Sequence, residues 1–141
     1  MGLNAVVYRN KKHLKLGSDE NAGRLIPATG EVYFEKNEVS RKYRTRIYAA
    51  EYRIGNVAEI SALREEVLRL VGPESNILKK ILSSGTHSGD VIPADFMPTL
   101  SAEIGSLSSA TGQSEELREF VDSLKELVQA SEIEGNPIVF V

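Results

Sequence analysis

Residues 114–141 read SEELREFVDSLKELVQASEIEGNPIVFV, and this stretch decides the fold. Leu117, Phe120, Val121, Leu124, Leu127 and Val128 recur at the spacing of one helical face. Glu115, Glu116, Glu119, Asp122 and Glu126 fill the remaining surface, and the first of them suit the positive end of a helix dipole. Ser114 stands where an N-cap hydroxyl satisfies free amides, and Gly135 where a helix ends. Beyond it, Pro137 to Val141 is short, apolar and rich in β-branched residues, which predicts a strand. An apolar strand at that position needs a sheet to hold it. The matching partner is the stretch Leu3 to Tyr8, LNAVVY, with the same composition.

Working outward from this helix–strand pair, the clearest further helix runs from Asn56 to Gly72. Asn56 and Glu59 have the spacing of a capping box, Ile60, Leu63, Val67 and Leu70 form an apolar stripe, and Gly72-Pro73 stops it. Another helix is predicted after Asp95 as cap, with Phe96, Leu100, Ile104 and Leu107 buried and Pro98 in the first turn. Ile77, Leu78, Ile81 and Leu82 predict a short helix, and Ser108 to Gly112 a polar linker. Pro27 to Gly30 reads as a turn leading into a strand at Glu31–Phe34, and Gly17 to Gly23 as a loop. From Val39 to Ile54, the residues Tyr43, Ile47, Ala50 and Ile54 lie on one helical face, so a helix is expected there. Alternation over Tyr43–Ile47 also permits a strand.

These elements predict a single α+β domain spanning residues 1–141, with about three short strands, the first and last included, against four or five helices. Regular strand–helix alternation is missing between Ile54 and Pro137, which argues against a doubly wound α/β sheet.

Composition narrows the chemistry. An apolar fraction of 41% and a charged fraction of 26% are those of a folded globular chain. The absence of cysteine excludes disulfides, thiolate metal sites, iron–sulfur clusters and cysteine nucleophiles. With His13 and His87 the only histidines, no metal or cofactor site is expected. No apolar run is long enough to span a bilayer and no signal-peptide core is present, so a cytoplasmic protein is expected. Charge is uneven: residues 1–56 carry 11 Lys/Arg against 6 Asp/Glu, and residues 57–141 carry 6 against 14.

The densest polar cluster is Gly85-Thr86-His87-Ser88-Gly89-Asp90. Its glycines allow tight turns, and Thr86, His87, Ser88 and Asp90 bring hydroxyls, an imidazole and a carboxylate together. They are the candidate ligand-binding residues, with Arg46 as an anion partner. The spacing matches neither a G-x-S-x-G nucleophile elbow nor a P-loop, so no catalytic residue is assigned. The basic-aromatic stretch Arg41–Arg53, with Tyr43, Tyr48 and Tyr52, has residues that bind nucleic acid elsewhere, but the sequence pI near 5.5 argues against it. The acids between Glu115 and Glu134 read as a solvated helix face. The expected function is recognition of a protein partner or a small anionic ligand. The alternatives are a small hydrolytic or phosphate-handling enzyme built on the Gly85–Asp90 loop, and nucleic-acid binding through Arg41–Arg53.

Overall fold

A computed structural model describes residues 2–14, 23–34 and 47–141. In chain order these form β1 (Leu3–Tyr8), a 3-10 turn (Lys11–His13), β2 (Gly23–Leu25), β3 (Val32–Phe34), β4 (Tyr48–Gly55) and α1 (Val57–Val71). A π-helical turn (Ile77–Ile81), β5 (Val91–Ile92), a second 3-10 turn (Ala94–Phe96), α2 (Met97–Ser109), α3 (Glu115–Glu134) and β6 (Ile138–Phe140) follow. The architecture is α+β: an antiparallel sheet ordered β4-β1-β6-β5, a separate β2–β3 hairpin, and helices on one side of the larger sheet.

β1 pairs with β6 as its composition requires, Ala5 opposite Phe140 and Val7 opposite Ile138. Alternation along the strands sends Leu3, Ala5, Val7, Ile138 and Phe140 to the helix side. There they meet Leu117, Leu124 and Leu127 of α3, each at most 1% exposed. Burying each such leucine contributes about 1.5–3 kcal/mol, so the stripe of α3 is the main adhesive of the fold. Val6, Tyr8 and Val139 point to the other face and are buried as well, with Ile47 packed against them. Burial on both faces is what makes Ala5 to Tyr8 a continuous apolar run.

Two expectations are overturned. The helix placed over Val39–Ile54 is, in its described part, the strand β4, while residues 39–46 lie outside the described residues. Tyr48 to Ile54 satisfies either period over so short a window, and pairing along the whole length of β1 selects the extended form. Two register shifts leave Ala49 and Ile54 without opposing residues, so β4 carries a bulge near each end. Among the described residues β4 has a neighbour on one side only, and bulges twist such an edge away from further pairing. The turn at Ile77–Ile81 is π-helical, and Asp95 lies within the 3-10 turn rather than capping α2.

α1 begins as its sequence dictates. Asn56 Oδ1 accepts from the Glu59 amide at 2.8 Å, and Glu59 Oε1 accepts from the Asn56 amide at 3.3 Å. The same carboxylate takes both arms of the Arg53 guanidinium, at 2.9 and 2.7 Å, tying β4 to α1. Arg53, then the backbone of Asn56, hold the Glu59 carboxyl down to about 2 from its ordinary 4.5. A depressed carboxyl contributes stability that is present above its unfolded value and lost as pH falls through the folded one. Urea midpoints of the wild type should therefore fall as pH drops from about 4.5 towards about 2. Glu59→Gln should be less stable at neutral pH and should show a flatter decline across that window. An unchanged acid limb would mean that the pair contributes nothing.

Candidate functional site

The loop between the π-helical turn and β5 is built by three attachments. Gly85 sits against α1 so closely that a Cβ there would lie 2.9 Å from Val57 Cγ2, which excludes any larger residue without movement. The Gly89 amide donates to the Phe140 carbonyl at 2.7 Å, and the Phe140 amide donates to the Asp90 carbonyl at 3.0 Å. The third attachment is His87. Its side chain is 8% exposed, its ring packs on Phe140 with centroids 4.5 Å apart, and Nε2 donates to the Ile81 carbonyl at 2.8 Å. Because a carbonyl can only accept, the proton on Nε2 is fixed by this bond.

Of the candidate residues, then, His87 points inward while Thr86, Ser88 and Asp90 are exposed. Nδ1 of His87 is buried, makes no hydrogen bond, and lies 3.5 Å from Oδ2 of Asp90, whose side chain is 69% exposed. The loop is also closed on itself: the Thr86 amide donates to Ser84 Oγ, and the Asp90 amide to the His87 carbonyl. Thus the amides of Thr86, Gly89 and Asp90 are all spent internally. Arg46 lies outside the described residues.

A second polar cluster lies where the sequence reads only a helix terminus and a solvated face. Glu134, the last residue of α3, is 6% exposed. Its Oε2 accepts from the Asn10 amide at 3.3 Å and pairs with His13 Nδ1, while its carbonyl accepts from Asn10 Nδ2 at 2.9 Å. Two residues on, Asn136 donates to the Tyr8 carbonyl at 2.7 Å and accepts at its own carbonyl from Ser131 Oγ at 2.6 Å. These bonds weld the end of α3 to the end of β1. The available signal was a carboxylate at a helix C-terminus, where the dipole disfavours it unless something pairs with it.

A cleft of about 540 Å³ lies between β4, α1 and α3. Ile54, Leu63 and Phe120 form its apolar part, the Arg53–Glu59 pair one end, and Glu66, which accepts from Ser114 Oγ at 3.0 Å, another wall. A shallower groove of about 360 Å³ runs between β4 and α3 over Ala49, Ala50 and Ala130. Neither contains a residue of the Gly85–Asp90 loop. Among the described residues no three His, Asp or Glu side chains are grouped to hold a metal ion, and no helix is long and apolar enough to cross a membrane. Comparison with protein-family models, with curated proteins and with solved structures gives no match to this chain.

Proposed function

We propose that this protein is a binding protein that recognises a partner protein through the Gly85–Asp90 loop. The observation that carries this reading is the inward orientation of His87. A histidine acting on a substrate needs a free nitrogen facing that substrate, whereas here one nitrogen is held by the Ile81 carbonyl and the other is buried. The same side chain pins the loop from beneath, so Thr86, Ser88 and Asp90 are presented on a support that is already ordered. Pre-ordering removes part of the entropy cost of association, and loops held on a rigid scaffold are frequent recognition surfaces.

The test is site-directed photo-crosslinking. A photoreactive residue at Ser88 and, separately, at exposed Glu132 of α3 is exposed to a lysate of the producing cell. The expected result is a discrete protein adduct at Ser88, lost when Thr86→Arg is added, with no equivalent adduct at Glu132. Equal labelling from both positions would remove the loop from recognition. Turnover of a generic ester or phosphate ester that disappears in Ser88→Ala would replace binding with the hydrolytic reading.

A further inference from the structure

We infer that the loop is a seat for a cationic side chain, an arginine or lysine borne on an apolar segment of the partner protein; this rests on the loop reading above. The outward-facing groups are the two hydroxyls of Thr86 and Ser88 and the carboxylate of Asp90, and no Lys or Arg occurs between Ser83 and Ile92. An anion would look for amide hydrogens, but those of Thr86, Gly89 and Asp90 are already donated to Ser84, Phe140 and His87. The one formal charge the loop turns outward is the Asp90 carboxylate, which with the hydroxyl oxygens of Thr86 and Ser88 offers acceptors that a guanidinium or ammonium matches.

Two further observations point the same way. His87 Nδ1 is buried without a hydrogen-bond partner and lies beneath the Asp90 carboxylate at 3.5 Å, so a polar need sits at the centre of the loop. With its proton on Nε2, the imidazole turns a lone pair at Nδ1 towards the Asp90 carboxylate, so two acceptors adjoin with no donor between them, and a cation at Asp90 supplies one. Exposed apolar residues adjoin the two ends of the loop: Val57, 62% exposed and packed on Gly85, and Val91, 40% exposed and next to Asp90 in sequence. A charged contact flanked by apolar surface suits a partner segment that carries both a cation and apolar side chains.

Phage-displayed random peptides, selected on the immobilised full-length protein, supply the probe. The expected consensus is an arginine or lysine beside one or more apolar residues. A synthetic peptide of that consensus should bind wild type at least about tenfold more tightly than Asp90→Asn, the loss of one charge-assisted contact, and more weakly as salt is raised. Asp90→Asn keeps both backbone hydrogen bonds of residue 90, so folding is retained, and a circular dichroism melt confirms it. If the selected peptides lack a basic residue but lose binding in Ser88→Arg, the loop is the site and the cation is wrong. If binding is indifferent to both substitutions, or if nothing is enriched, the loop reading falls with it.

Discussion

Replacing Gly30 by alanine should destabilise the protein by about 2–5 kcal/mol, the sum of a left-handed backbone penalty and a lost buried hydrogen bond. Gly30 closes the turn between β2 and β3 with φ of 77°, its amide donating to the Ile26 carbonyl. A Cβ there would lie 2.3 Å from Cγ of Asn136. Asn136 is not free to withdraw, because its Nδ2 holds the Tyr8 carbonyl at 2.7 Å in a buried setting. Gly112 provides the control. It has the same φ of 77° but open space around it, so Gly112→Ala should show the backbone penalty alone, about 1–2 kcal/mol. Urea unfolding of the two variants measures the difference. Equal costs would mean that Asn136 yields without breaking its bond to Tyr8.

His87→Ala should cost about 2–4 kcal/mol, combining a cavity against Phe140 with an Ile81 carbonyl left without its donor. His87→Phe separates the two contributions: it refills the space and retains only the unsatisfied carbonyl, about 1–3 kcal/mol. Thr86→Ala and Ser88→Ala, both on exposed side chains, should stay within about 0.5 kcal/mol of wild type. Chemical denaturation of the four variants tests the division of labour within the loop. A neutral His87→Ala would mean that the imidazole does not support it, and the binding surface would lose its rigid base.

Much of this was legible in the residues themselves, and the reasons differ from place to place. The stripe of α3, the capping box at Asn56 and the β1–β6 pair depend on local periodicity or composition, and the structure reproduces all three. β4 was misread because a stretch that short fits a helical face and a strand equally. The contact that chooses between them is with β1, more than forty residues earlier in the chain. The loop at Gly85 could be recognised as a polar turn, but the direction of His87 could not. That direction is set by Phe140 and by the Ile81 carbonyl, neither of which is encoded in the loop. Glu134 and Asn136 looked like an ordinary helix end for the same reason: their partners, Asn10, His13 and Tyr8, lie at the other end of the sequence.

The position of β6 between β1 and β5 has a consequence for how the protein is made. A ribosome delivers the strand that bridges the sheet after every helix that packs on it. While residues 138–140 are still in the exit tunnel, β1 and β5 have nothing between them, and the apolar stripes of α1, α2 and α3 face a floor with its centre missing. Local helices form on emergence, but the sheet is completed only when two segments at opposite ends of the described chain meet, the slowest kind of contact for a chain to find. Until residues 138–140 emerge, the described helices are a sticky, half-assembled set, and β6 acts as the closing stitch.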